Sequence, residues 1–252
     1  MKHIIYIFAG LILFLFFPAP KPFAQSKLTA DQIIKKVDEN MSSRNRVVES
    51  SMVIRGKRRD RTITSKSYSV GTKQSFSEYL SPAREAGTKM LKTDDKLWIY
   101  TPQTDRIIQI SGHMLRQSVM GSDLSYEDMM DDRKLLDVYS AKLAGQETID
   151  ERQCYVIDLK AKVSDVAYET QKIWVDAERF VPLKQELFAK SGQLLKRMTM
   201  TNIQKVEGRW FPMTMTYKDM LKDGEGTEYR ITSLSFDQDI PDYIFTKAAL
   251  KQ

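Results

Sequence analysis

Side chains that could do covalent or acid–base chemistry are few and scattered in this 252-residue sequence. Its one cysteine, Cys154, lies in the alternating stretch "RQCYVIDLKA" and has no second cysteine to pair with. A nucleophilic thiol needs a base or cation beside it, so Cys154 reads as a small core side chain. His3 lies just before an N-terminal apolar run, and His113 stands in a methionine-rich segment with no further histidine to complete a zinc site. The acids Asp123, Glu127, Asp128, Asp131 and Asp132 are dense enough to attract calcium, yet their spacing matches no EF-hand loop. They read as solvated residues or helix starts. There is no C-x-x-C, no G-x-S-x-G and no glycine-rich phosphate loop. Nothing singles out a carboxylate pair for glycoside hydrolysis. The sequence points away from catalysis, and names no metal or cofactor.

Methionine placement is more informative. "MTMT" occurs twice, at Met198–Thr201 and at Met213–Thr216, on either side of "VEGR". A tight turn centred on Glu207 and Gly208 sets Val206 opposite Arg209. It then sets Met200 opposite Met215, Met198 opposite Tyr217 and Asn202 opposite Met213. Side chains alternate along a strand, so the methionines and Tyr217 share one face and the threonines the other. Methionine is flexible and polarizable and suits surfaces that accept variable apolar shapes. An ordinary core face is the competing reading, although Val and Ile pack better in a rigid sheet.

These residues must be positioned by a sheet. "TADQIIKKVDENM" predicts a helix, with Thr29 as N-cap, Gln32 completing a capping box, and Ile33, Ile34, Val37 and Met41 as its apolar stripe. From Arg46 onward the period falls to two, in runs such as "KLWIYTP", "DRIIQI", "TQKIWVDA", "FPMTMTYKDM" and "TEYRITSLSF". Turn signals such as "TPQTD", "KSGQ" and "KDGEG" separate them. The expectation is a meandering antiparallel sheet of about eleven strands. One stretch, from Ser111 to Lys134, lacks alternation. Met114, Leu115 and Val119 could form one short helix face there, and Ser125 could cap a second helix carrying Met129 and Met130.

The first residues read as a targeting segment. Lys2 precedes an unbroken apolar run from Ile4 to Phe17, prolines 18, 20 and 22 follow, and Ala24 offers a cleavage position. The run is shorter than the roughly 20 residues of a spanning helix. Export with cleavage near Ala24 is expected, leaving residues 25–252 as one domain. Removing residues 1–24 takes away Lys2 and Lys21 and no acid, so the net charge falls from +6 to +4. The basic cluster "RGKRRDR" (Arg55 to Arg61) reads as a solvated turn, with anionic headgroups or an acidic partner as the alternative. Nucleic acid is an improbable partner for an exported protein.

The central block "KLWIYTPQTDRIIQISGHMLRQSVMGSDLSYEDM", the series "WVDAERFVPLKQELFAKSGQLLKRMTMTNIQKVEGRWFPMTMTY" and the ending "IPDYIF" resemble the outer membrane lipoprotein-sorting protein family, which is LolA-like. The resemblance implies an α+β fold, an unclosed antiparallel β-barrel with helices covering its concave face. It also implies a periplasmic carrier that shelters the acyl chains of lipoproteins or lipids, and members of this branch are companions of RND-type exporters. The residues expected to line the cavity are Trp98, Tyr100, Met198, Met200, Met213, Met215 and Tyr217. Leu97 and Ile99, on the other face of "KLWIY", compete with Trp98 and Tyr100. Met114, Leu115, Val119, Met129 and Met130 are the expected lid. The rival function is a sensor or accessory subunit that binds a membrane protein's periplasmic domain, and a large open apolar cavity would favour the carrier over it.

Overall fold

The computed structural model describes residues 28–56 and 58–252. The targeting segment and its cleavage near Ala24 lie outside the described residues.

A helix, α1 (Ala30–Met41), comes first. Thr29 caps it reciprocally: the Gln32 amide N–H donates to Thr29 Oγ1 at 3.2 Å, and the Thr29 N–H donates to Gln32 Oε1 at 2.8 Å. Thirteen strands follow: β1 (Asn45–Ile54), β2 (Arg61–Val70), β3 (Gln74–Ser81), β4 (Lys89–Thr93), β5 (Lys96–Thr101), β6 (Arg106–Ile110), β7 (Tyr139–Ile149), β8 (Arg152–Ala161), β9 (Thr170–Asp176), β10 (Pro182–Phe188), β11 (Leu194–Val206), β12 (Arg209–Asp219) and β13 (Thr227–Phe236). All belong to one antiparallel sheet in the order β6-β5-β4-β3-β2-β1-β13-β12-β11-β10-β9-β8-β7. Every neighbour is a sequence neighbour except at β1–β13, where the first and last strands meet. The open edges are β6 and β7, and the segment joining them carries two short 3-10 helices (Gly112–Arg116 and Val119–Gly121), α2 (Tyr126–Met130) and α3 (Leu135–Val138). The architecture is the expected unclosed barrel with a helical insertion.

Three strands escape the alternation rule, and each has a physical reason. On β2 the inner positions after Ile63 are Ser65, Ser67 and Ser69, so period two persists without hydrophobes to mark it. β4 is short and buried on both faces, with Met90 turned inward and Leu91 outward. β7 is an edge strand, exposed along most of its length, so no apolar stripe is required of it.

Apolar side chains on the inner face are covered in two places. α1 lays Ile33, Ile34 and Val37 against Tyr155, Ile157, Leu159, Ile173 and Val175 of β8 and β9. The insertion lays Met114, Leu115, Met129 and Met130 against Met52, Ile63, Tyr79, Met90, Leu97, Ile99 and Ile110 of β1 to β6. On the outer face, two C-terminal 3-10 helices (Asp242–Phe245 and Lys247–Lys251) bring Phe245, Ala249 and Leu250 onto Phe76, Leu91 and Trp98. Full burial of each large apolar side chain contributes about 1.5–3 kcal/mol, so these three layers account for most of the fold's apolar stabilisation. No described helix is long and apolar enough to cross a membrane.

Candidate functional site

Between the two covers the inner face is bare, and a cavity of about 1070 Å³ remains. That is the upper end of the usual range for ligand sites. Its long wall is the β11–β12 hairpin with β13. Glu207 (φ +47°) and Gly208 (φ +86°) both occupy the left-handed region, as the favoured two-residue hairpin turn demands. The ladder accordingly pairs Val206 with Arg209, Met200 with Met215 and Met198 with Tyr217, the register expected from "VEGR". Asn202 (φ +52°) drops out of the ladder without shifting the pairs beyond it. Met198, Met200, Met215 and Tyr217 line the cavity. Met213 shares their face but packs into a neighbouring cluster with Val48, Phe211, Ile231, Leu234 and Phe236. Burial raises the Tyr217 and Tyr229 phenols above their ordinary value, so both stay neutral.

Trp98 and Tyr100 fall elsewhere, and their expected place on the cavity wall is corrected by the strand's orientation. β5 turns Leu97 and Ile99 inward, under the insertion. Trp98 and Tyr100 face outward, where Trp98 sits beneath Phe245 and Leu250 with the Lys247 ammonium 4.4 Å from its ring centroid. Alternation alone leaves the choice of face open; the apolar C-terminal helices claim the larger pair.

The insertion packs over the inner face. Val119, Leu124 and Met129 reach the cavity, while Met114, Leu115 and Met130 pack on the β1–β6 side. Ser125 caps α2, accepting from the Asp128 N–H at 3.2 Å, and Asp128 accepts from the Ser125 N–H at 2.7 Å. The acids of this segment tie the cover to both walls. Asp132 meets Lys92 of β4 at 3.0 Å and Arg46 of β1 at 3.9 Å. Asp128 pairs with Lys196 of β11 and accepts from the Tyr168 hydroxyl at 2.5 Å. Asp123 accepts from the Asp219 N–H of β12 at 3.0 Å and from the Thr227 hydroxyl of β13 at 2.8 Å. Among the described residues no group of three or more His, Cys, Asp or Glu side chains is placed to hold a metal ion. His113 is exposed on the first 3-10 helix, on the solvent side of the cover.

Residues missed in the sequence lie on the wall opposite the methionines. Ser65, Ser67 and Ser69 of β2 and Ser75 and Ser77 of β3 line the cavity as a hydroxyl strip. Ser50 of β1 stands behind it, 3.0 Å from Ser65, and Ser67 and Ser77 are 2.8 Å apart. The signal was present in "SKSYS", a period-two serine run, but polar alternation carries no mark of which face is inside.

An unclosed sheet with a helix and a helical insertion over its inner face defines the LolA-like class of folds. A crystal structure of a LolA superfamily protein from Nitrosomonas europaea matches with a TM-score of 0.74 and 26% identity, covering 88% of this chain and 99% of that one. A DUF1329 family protein from Desulfovibrio piger matches at 0.78 and 26%, covering 86% and 96%. A domain from Vibrio parahaemolyticus described as an outer membrane lipoprotein-sorting protein matches at 0.77 and 21%, covering 88% and 100%, which speaks for the fold. A search of the curated proteins finds no match. A family model described as "-like: Uncharacterized protein" matches residues 71–252. The chain belongs to that family, and it is LolA-like.

Proposed function

We propose that this protein is a periplasmic carrier that shelters the acyl chains of lipids or lipoproteins and conveys them towards the outer membrane. One observation supports the reading above the others: the inner face holds an unfilled cavity of about 1070 Å³ with methionines and tyrosines on its long wall. An acyl chain of about sixteen carbons gains on the order of 10 kcal/mol on leaving water, at about 0.8 kcal/mol per methylene. Crossing an aqueous compartment therefore needs a site that offers comparable burial and can reopen. A cover tied down by side-chain pairs, with no covalent link beyond its own two ends, suits that demand. The proposed wall residues are Met198, Met200, Met215 and Tyr217, with Met213 packed on the same face beside them, and the insertion is the proposed lid. No chemistry is asked of the site. An inner-membrane RND-type exporter is the proposed donor, on the strength of the sequence resemblance.

The sensor alternative would use an exposed patch and a filled interior, and the open cavity favours the carrier. The deciding experiment is mass spectrometry of lipids that co-purify with the mature protein from its native periplasm. A defined lipid class near one equivalent is expected. Lipid-free protein that also fails to bind a fluorescent fatty acid would overturn the carrier reading.

A further inference from the structure

The two walls of the cavity are chemically unlike. Met198, Met200, Met215, Tyr229 and Ile231 make one side apolar, while the β2–β3 side presents five serines. Successive serines on β2 are two residues apart, so Ser65 to Ser69 spans about 13 Å at roughly 3.3 Å per residue. The strip is graded: Ser50 and Ser65 are buried, whereas Ser67, Ser69, Ser75 and Ser77 are half-buried towards the β2–β3 turn. Beyond its deep end the inner face becomes apolar, with Met52, Ile63 and Tyr79 beneath the insertion.

These hydroxyls are not used up within the protein. A hydroxyl offers one hydrogen and two lone pairs. Each of the pairs Ser50–Ser65 and Ser67–Ser77 spends one hydrogen and one lone pair on its internal bond, Ser50 also meets the Tyr229 hydroxyl, and Ser69 accepts from Arg46, which leaves capacity chiefly on Ser65, Ser67, Ser75 and Ser77. Free hydroxyl capacity set against bare hydrocarbon would lose water and gain nothing in return. A wall built only for an alkyl chain would carry apolar side chains at such positions, as the methionine wall does. The strip also carries no charge of its own. Arg46, beside it, is already engaged by Ser69 at 3.2 Å and by Asp132. The other cations on the cavity lining face acids: Arg44 and Arg209 meet Asp237, Arg133 meets Asp131 and Asp165, and Lys134 lies near Asp38. What the strip itself offers is hydroxyls.

Resting on the carrier reading, we propose that the cargo is an acyl lipid with an uncharged hydrogen-bonding region, ester, amide or hydroxyl groups adjoining the chain. That region lies on the serine strip, and the chain runs along the methionine wall. The test is displacement of a fluorescent fatty acid by 1-monopalmitoylglycerol and by palmitate, from the wild-type protein and from Ser65→Ala/Ser67→Ala/Ser77→Ala. The wild type should bind the monoacylglycerol at least about tenfold more tightly than palmitate. The triple variant should lose roughly tenfold or more in monoacylglycerol affinity, with palmitate changed less than about threefold. A wild-type preference for palmitate, or a parallel loss of both ligands in the folded variant, would overturn the assignment of the strip while leaving the carrier standing. Failure of both ligands to bind the folded wild-type protein would remove the carrier reading and this one with it. Should the triple variant not fold, Ser67→Ala alone and the wild-type preference decide.

Discussion

Met200 is the most exposed point of the cavity argument, because one residue along β11 the side chain turns to the other face. Met200 is 6% exposed, pairs with Met215 and lines the cavity. Replacing it with lysine sets an ammonium on a wall proposed to meet hydrocarbon. Neither ordering of events is favourable. The charge either loses its water when the chain binds, or keeps it and holds the chain off the wall. If about four methylenes forfeit apolar contact at about 0.8 kcal/mol each, the loss is about 3 kcal/mol, or roughly a hundredfold in Kd. Met200→Ala is the matched control: it keeps the wall apolar, costs about 2 kcal/mol of folding stability through the space it leaves, and should change affinity only a few fold.

Thr199 and Thr214 supply the opposite-face control. Thr199 stands across from Lys184 on β10, and Thr214 across from Arg230 on β13. A lysine at either position meets a like charge and costs a few tenths to about 1 kcal/mol of stability. Neither position lies on the cavity wall, so lipid affinity should stay within about twofold. Fluorescent fatty-acid displacement on variants checked for folding by circular dichroism separates the two sets. Equal losses for the methionine and threonine variants would refute the assignment of this hairpin to the binding wall.

Trp98→Ala should cost about 3–5 kcal/mol of stability, read by chemical denaturation, because it empties the cluster under Phe245 and Leu250; acyl-chain affinity of the folded fraction should be unchanged. Burial pushes the Cys154 thiol up to about 11, so the native protein should resist thiol reagents at pH 8 and react once unfolded, and Cys154→Ser should retain lipid binding. Asp176 is buried, and although burial raises its carboxyl, the Arg152 guanidinium with the Glu178 and Arg179 N–H groups outweighs this and holds it below its ordinary value. Its stabilisation is therefore complete above the ordinary carboxylate range and is lost as pH falls through the lowered folded value. Asp176→Ala should lower stability by about 2 kcal/mol at pH 7, and the difference from wild type should shrink in acid.

How much of this was legible in the sequence differs by element. The "VEGR" hairpin could be registered residue by residue, because a two-residue turn leaves one pairing and the methionines mark the faces. The Thr29 and Ser125 caps were legible because capping is local chemistry. Face assignment on β5 was not, since Leu97, Trp98, Ile99 and Tyr100 are all apolar and both faces of the strand are covered. The serine strip was hidden for the opposite reason: its inner residues are as polar as a solvated face. What makes them inner is the β1–β13 closure, a contact between the first and last strands that no local pattern encodes.

The serine strip and the ion-paired cover also bear on release, which is the harder half of a carrier's task. A fully apolar cavity of this size would hold an acyl chain as tightly as a membrane does, and transfer would stall. A chain running along the methionine wall contacts apolar side chains on only part of its circumference, so its burial energy falls short of the roughly 10 kcal/mol available in a bilayer. On the proposed carrier reading, that deficit would set the direction of transfer towards membrane. Meanwhile the cover is held by Lys92, Arg46 and Lys196 acting on Asp132 and Asp128; Lys92 and the Lys196–Asp128 pair are largely buried, so these contacts resist opening until water reaches them. Conversion of Asp132 to Asn should therefore speed lipid loss to acceptor vesicles while leaving equilibrium affinity within a few fold, measured as the rate of fluorescent fatty-acid transfer. A variant that instead weakened binding without changing the transfer rate would show that the Asp132 contacts shape the cavity and do not hold the cover.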